Sequence, residues 1–406
     1  MTAFAVWQII FWLSILGVAY IFLGYPLLVF ALSRLRMLRT EKAANSAPVS
    51  VVLVGFNEAA RLPAKIANVL ASDDSHLIRE LIVASDGSTD DTVAVIAAVN
   101  DPRVRLIAFP ERRGKPSVLN DVIPQCQSDV VVLMDARQEL HRRAIAELAA
   151  NFADETVGVV SGELVFRSEE DVTTVSKGIG IYWRYEKFIR KCEGRFRSVP
   201  GATGALYALR RSLFRPIPPQ TILDDVVIPM QAVTAGYRCL FEPAAIAFDH
   251  PSDSTTKESI RKRRTVAGAA QLIVDHPAWL LPWRNPVWFE FVSHKLARLV
   301  SPLLLLVAAV ANLWLASHPL YAALLAWHVA FYASALVGWW FQRAGRRSVL
   351  FGAQLMFVAL NATTVFALWD ALRGRFRATW HRSEEGTCGA GEGEAIWTCD
   401  GDIAAK

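Results

Sequence analysis

The feature that most limits what this chain can become is its pair of long stretches without formal charge. Residues 1–33 contain no Asp, Glu, Lys or Arg, and none occurs from Leu299 to Gln342. A helix needs about 20 apolar residues to cross a bilayer, and "FAVWQIIFWLSILGVAYIFLGYPLLVFAL" exceeds that length. It lacks the basic start and short apolar core of a signal peptide, so 1–33 reads as a retained transmembrane helix. Arg34, Arg36, Arg39 and Lys42 follow at once, which by the positive-inside tendency puts the next segment in the cytoplasm and the N-terminus outside.

The second stretch is divided by "SHP" at Ser317 to Pro319 into two spans joined by a tight hairpin, with Arg343, Arg346 and Arg347 following on the inside. A last apolar stretch, Val349 to Trp369, is long enough to span but carries Gln354, Asn361, Thr363 and Thr364. If it crosses, the Arg-rich "LRGRFRATWHR" lies outside, against the charge rule; a re-entrant or interfacial helix keeps that tail inside, and this is the expectation. The assignment is therefore C-terminal membrane helices over 299–370 and a basic, then disordered, tail over 371–406. Trp, Phe and Pro mixed with scattered charge make 276–298 an interfacial amphipathic segment, its Trp rings expected in lipid.

Residues 46–275 have ordinary soluble character. Strands are expected at "VSVVLV" (Val49 to Val54), "ELIVAS" (Glu80 to Ser85), "VRLIAF" (Val104 to Phe109) and "DVVVLM" (Asp129 to Met134), with helical patterns between them. This alternation indicates an α/β domain with a mostly parallel sheet, in which ligands sit beyond the carboxyl ends of the strands. Those ends run into "GFNEA", "DGSTDDT" and Asp135. Neither GxGxxG nor GxxxxGK[ST] occurs, so dinucleotide and P-loop sites are not expected. Acids at strand ends are costly inside a protein unless paired, hydrogen bonded or metal bound. Taken alone, Asp86 and Asp90 read equally well as caps of the following helix.

Read in order, "GFNEA", "ASDGSTDDT", "RRGKPSVLN", "LMDARQEL", "GATGALYALRR", "ILDDVVIPMQA" and "RKRRTVAGAAQLI" resemble the successive motifs of the membrane-bound family 2 glycosyltransferases, in their exopolysaccharide synthase-like branch. The resemblance implies a GT-A fold, Rossmann-like, flanked by transmembrane helices. It implies inverting transfer of a sugar from a nucleotide-diphosphate donor to a hydroxyl acceptor. UDP-linked sugars are among the candidate donors, and a saccharide or lipid-linked acceptor would be served at the bacterial inner membrane, with the catalytic domain cytoplasmic.

Carried onto this sequence, the resemblance implies that Asn57 and Glu58 turn over the nucleoside and that Asp86 contacts the base. Lys115 would approach the diphosphate, and Asp225 of the Asp224/Asp225 pair would be the general base. Asp135 would be the first acid of the metal motif, with Mg²⁺ or Mn²⁺ as cofactor, and His250 an additional metal ligand. The motif departs from the family at Arg137, which stands where the second acid is expected. A guanidinium cannot bind a cation, so Arg137 either contacts phosphate itself or turns away to pair with an acid while Asp135 keeps the metal.

"RKRRTVAG" stands where processive synthases carry QxxRW. Arg264 falls on the motif arginine and would contact the diphosphate, while Arg261 and Thr265 replace its glutamine and tryptophan. Trp183, Tyr185 and Tyr207 are alternative stacking faces for a sugar, or plain packing. Two other readings stay open: one addition to a lipid-linked acceptor, and a catalytically silent nucleotide-sugar-binding scaffold of a secretion complex. Membrane lipids and other synthesis or export proteins are the expected partners. Net charge is +5, with Arg concentrated at membrane edges and no aromatic and basic recognition module, so nucleic acid is not expected. The five cysteines form no CxxC pair, and free thiols are expected.

Overall fold

The computed structural model describes residues 2–43, 47–167, 174–249, 255–344 and 350–373. The expected tail beyond 373, with Cys388 and Cys399, and the candidate ligand His250 lie outside the described residues.

An uncharged segment in lipid must satisfy its own backbone, which a helix does. Helices α1 (Ala3–Ala19) and α2 (Tyr25–Leu35) are joined by a π-turn over Tyr20–Gly24. Pro26 lacks an N–H and its ring crowds the carbonyl of Phe22; the wider turn falls at that place. Among the described residues Ala3–Leu35 thus forms one of four runs long and apolar enough to cross a membrane; the others are Trp288–Leu315, Pro319–Arg343 and Gly352–Asp370.

Between the first two runs lies an eight-stranded sheet: β1 (Val49–Gly55), β2 (Ile78–Asp86), β3 (Val104–Phe109), β4 (Val130–Met134), β5 (Glu139–Leu140), β6 (Val157–Phe166), β7 (Leu206–Arg210) and β8 (Arg238–Asp249). Their order is β3-β2-β1-β4-β7-β6-β8-β5. The first four strands are parallel, as expected. Beyond β4 the sheet is mixed: β7 is antiparallel to β4 and β6, β8 is parallel to β6, and β5 is antiparallel to β8. Because β1 leads to β2 on one side and neighbours β4 on the other, a crevice opens at the carboxyl ends of these strands.

Strand β1 shows why this part folds as it does. Val51 and Leu53 enter one apolar cluster and Val52 the other, so the strand is buried on both faces, as an unbroken Val/Leu run requires. The covering helices are α3 (Leu62–Leu70), α4 (Thr92–Ala97), α5 (Lys115–Val122), α6 (Ala144–Ala149), α7 (Thr174–Phe196), α8 (Asp224–Thr234) and α9 (Thr255–Asp275).

After α9, a 3₁₀ turn (Pro277–Leu280) precedes α10 (Trp288–Glu290), a second π-turn (Phe291–Leu296) and α11 (Ala297–Leu315). The tryptophan collar differs from expectation. Trp279 is buried in the domain's apolar cluster and Trp288 donates its indole N–H to the Leu280 carbonyl at 2.7 Å, while Trp283 is exposed. The Pro-rich connection folds back on the α/β domain, which draws two of the rings inward.

Helices α12 (Pro319–Arg343) and α13 (Gly352–Leu372) are the last two of the described residues. Phe11, Ala308, Ala311, Leu315 and Tyr321 pack α1, α11 and α12 together, with Tyr321 Oη accepting from Gln8 and Trp12. Outward leucines such as Leu13, Leu16, Leu303 and Leu306 are exposed, a surface suited to lipid. Helix α13 starts with Phe351 stacked on Phe341 near the end of α12, and Asn361 meets Ser301 of α11 at 2.7 Å. It ends with the Asp370 carboxylate on the Arg263 guanidinium of α9.

Candidate active site

The turn after β1 is built around Asn57, whose backbone is left-handed at φ 55°. Its amide Oδ1 accepts from Thr89 N at 2.8 Å and its backbone N–H donates to Ser88 Oγ. Asn tolerates this conformation better than most residues, so the expected turn is held against the loop after β2. Glu58 follows, its N–H on Thr92 Oγ1 and its carboxylate on Arg61.

Asp86 and Asp90 divide the two roles left open by sequence. Asp90 is the turn residue, accepting from Thr92 N and Oγ1 and from Ala59 N. Asp86 is buried and caps nothing in its own helix. Its two oxygens accept the N–H groups of Arg113 at 2.7 Å and Gly114 at 2.9 Å. Gly87 permits that approach, since a Cβ there would lie 2.4 Å from Arg112 N. The structure therefore places Asp86 beneath the turn that carries Lys115, with its carboxylate engaged by the backbone.

Lys115 opens α5 and reaches two acids, Asp135 Oδ1 at 2.9 Å and Asp224 Oδ2 at 3.3 Å. Burial would lower the ammonium's proton affinity, but the charges of Asp135, Asp224 and Asp225 outweigh it and hold Lys115 well above its usual range. Asp224 and Asp225 form the first turn of α8. Asp225 Oδ2 accepts from Gly204 N at 3.1 Å and its carbonyl from Ala202 N at 2.7 Å, which ties the pair to the "GATG" loop. Burial, then the Asp224 charge, push Asp225 up to about 6, against the opposing charges of Lys295 and Lys115. Tyr207 is fully buried with its hydroxyl unpartnered, so it is core and not a stacking face. Trp183 packs on Phe166, and Tyr185 bonds the Phe22 carbonyl under the Arg298 guanidinium.

Arg137 turns away from this cluster. Its guanidinium pairs with buried Asp249 at the end of β8, which also accepts from Gln138 Nε2 at 3.0 Å. Among the described residues no group of three or more His, Cys, Asp or Glu side chains forms a metal cage. Asp135 is 40% exposed and has one oxygen on Lys115, leaving the other for a ligand. Such a site fits Mg²⁺ or Mn²⁺ only as an ion shared with substrate phosphates, a usual arrangement for Mg²⁺. Arg264 lies on α9 beside Arg263, separate from the Lys115 cluster in sequence and element.

A set of residues that sequence reasoning did not single out backs this site. Arg190 of α7 donates to Ser161 Oγ at 3.1 Å and to the Gly201 carbonyl at 3.0 Å, while Ser161 Oγ also accepts from Thr203 N. Three residues on, Glu193 receives Tyr25 Oη and contacts His294 Nδ1; Glu186 contacts His294 Nε2 and receives Arg298. The signal was present as charge in "EKFIRKCEG" and "SHKLAR" beside apolar runs, where ionisable groups need partners.

Known proteins resemble this chain in sequence and in fold. The family model described as glycosyl transferase family 2 matches residues 50–217. Poly-β-1,6-N-acetyl-D-glucosamine synthase from Staphylococcus aureus (strain COL) is 25% identical over 209 residues, which cover 49% of this chain and 49% of that protein. The succinoglycan biosynthesis protein ExoO of Rhizobium meliloti (strain 1021) is 26% identical over 223 residues, covering 52% of this chain and 63% of that one. The chain thus spans about half the length of the first of these relatives. A mannosyltransferase from Pyrobaculum calidifontis, solved with GDP-Man and Mn²⁺, superposes with a TM-score of 0.67 at 23% identity, covering 90% of this chain and 100% of that one.

Proposed function

From the family 2 glycosyltransferase domain that residues 50–217 form on a GT-A fold, we propose that the chain is a membrane enzyme of bacterial surface or extracellular polysaccharide synthesis. It moves a sugar from a nucleotide-diphosphate donor to a hydroxyl with inversion. The observation that carries this reading is the meeting of Lys115 with Asp135 and Asp224 beside Asp225, whose proton affinity is raised. Lys115 is fully charged and faces the place where negative charge develops on a departing diphosphate. Asp225 is held at a fixed angle by Gly204 and accepts a proton near neutral pH.

The step is one displacement. The acceptor hydroxyl gives its proton to Asp225, its oxygen bonds the anomeric carbon, and the bond from that carbon to phosphate breaks with both electrons leaving on the nucleoside diphosphate. Lys115 neutralises that leaving group, and Arg264 of α9 is the candidate for a second contact. The Asn57–Glu58 turn walls the nucleoside, and Asp86 keeps the Lys115 turn in place. Mg²⁺ or Mn²⁺, when bound, would be held by Asp135 with the donor phosphates and supplies further positive charge there. By the basic residues that follow the run Ala3–Leu35 and the run Pro319–Arg343, the catalytic domain is cytoplasmic.

The test is transfer of labelled sugar from UDP-N-acetylglucosamine, GDP-mannose and related donors by the full chain in nanodiscs with extracted membrane glycans and lipids. Asp225→Asn should remove transfer by roughly 10²- to 10⁴-fold while donor binding persists. Donor binding by the wild type without turnover on any donor would favour the scaffold reading instead. A second reading, one addition to a lipid-linked acceptor, is favoured by exposed Thr265 at the aromatic position and by burial of Tyr207.

A further inference from the structure

Helix α3 carries a lysine where its apolar stripe runs. Leu62, Ile66 and Val69 are buried in the α/β core, and Lys65 falls on the same face, one turn after Leu62. A lysine among apolar residues commonly lays its stem along them and keeps its ammonium in water. Lys65 does not, since the residue is only 4% exposed. An ammonium taken out of water is costly unless it meets an acceptor. The acceptor is the backbone carbonyl of Gln138, 2.6 Å from Nζ. Burial draws Lys65 down to about 8, against the charges of Asp135 and Glu139, so at neutral pH it is mainly an ammonium. Its bond to the carbonyl is then charge-assisted.

That carbonyl closes the loop 135–138, which connects β4 to β5 and begins with Asp135. Two further holds act on the same end of the loop. One turn along α3, Asn68 Oδ1 accepts the Leu140 N–H at 2.8 Å and its Nδ2 donates to the Leu140 carbonyl at 3.1 Å. Asp249 of β8 accepts from the Arg137 guanidinium and from Gln138 Nε2. The other end is fixed by β4, which pairs with β1 on one side and β7 on the other. Ala136 and Gln138 are buried, whereas Asp135 keeps 40% of its side chain exposed. A carboxylate that binds through a loop binds best when the loop is already ordered, because ordering it on binding costs free energy.

We infer that Lys65 is a positioning residue for donor binding: its buried ammonium, through the Gln138 carbonyl, holds the loop that presents Asp135 to the donor phosphates. The inference deepens the proposed function and rests on the role given there to Asp135. It accounts for a charge in an apolar stripe, where a methionine would fill the same space and hold nothing.

The experiment compares wild type and Lys65→Met as full chains in nanodiscs, by amide hydrogen exchange and by sugar transfer from UDP-N-acetylglucosamine and GDP-mannose with Mn²⁺. In Lys65→Met the amides of 135–142 should exchange about tenfold faster, with those of β1 and β2 unchanged. The donor KM should rise about tenfold while kcat stays within about threefold, as for loss of a group that orients a ligand-binding side chain. The melting temperature should stay within about 3 °C. Unchanged exchange over 135–142, or an unmoved KM, overturns the inference. A fall in kcat and melting temperature together, without the rise in KM, marks Lys65 as structural and also overturns it. If Lys65→Met is not recovered folded, Lys65→Gln replaces it, and loss of both overturns the inference as well. A wild type that transfers neither sugar counts against the proposed function instead, and exchange over 135–142 then decides the role of Lys65 by itself.

Discussion

At the scale of single residues the sharpest consequence concerns protons. Asp225 is pushed up to about 6 by burial and by Asp224. A general base works only when deprotonated, so kcat should fall as pH drops through about 6 and hold a plateau above it. A limb centred near pH 4, the ordinary carboxylate value, would take Asp225 out of that role. Arg137 leads to a second expectation. Because its guanidinium is committed to Asp249, it does not replace a cation at the donor phosphates, and exhaustive chelation should abolish transfer, with Mg²⁺ or Mn²⁺ restoring it. Full activity after chelation would mean that the side chains proposed for it, Lys115 and Arg264, neutralise the diphosphate without a metal ion. The strand ends that place Asp86 and Asp135 were legible because a buried parallel strand and its polar stop are local patterns. The direction of Arg137 was not, since its partner lies 112 residues away.

At the scale of elements, apolar length sets what a segment can do and its pairing sets what it does. Helix α13 is long enough to cross a membrane, yet its first residues lie on the last turns of α12 and Asp370, at its end, pairs with Arg263 of α9 in the catalytic domain. Both ends are thereby tied to elements on the catalytic side, which supports an interfacial or re-entrant helix. In a cysteine-free background, Arg373→Cys should react with an impermeant thiol reagent from the same side as Lys42→Cys, and Ser317→Cys from the other. Labelling of Arg373→Cys with Ser317→Cys would make α13 a true span. Hydropathy could frame this choice but not settle it, because the deciding pair is separated by 107 residues. The same holds for the His294 clamp, whose partners stand 101 and 108 residues away, so only the presence of charges near apolar runs was visible.

At the scale of the whole molecule the question is how far the product grows. A processive synthase must grip the growing chain after each addition, and sugars are commonly held on aromatic faces whose apolar surface matches the ring. Here Thr265 stands exposed on α9 at the expected aromatic position, Tyr207 is sealed in the core, Tyr185 is bonded to the backbone of the first membrane run, and Trp183 packs on Phe166. The helices α1, α11 and α12 also pack closely: Ala308, Ala311 and Leu315 of α11 are fully buried in one cluster with Phe11 and Tyr321. Small residues at such contacts let helix backbones approach closely. Both features favour one or a few additions on the catalytic face. In inverted membrane vesicles, labelled product should therefore extract with lipid or remain short on gel filtration, and it should stay accessible to glycosidase added outside those vesicles. High-molecular-weight product protected inside the vesicles would instead show that the packed α1, α11 and α12 helices open during synthesis, and that the acceptor is gripped by surfaces other than these aromatics.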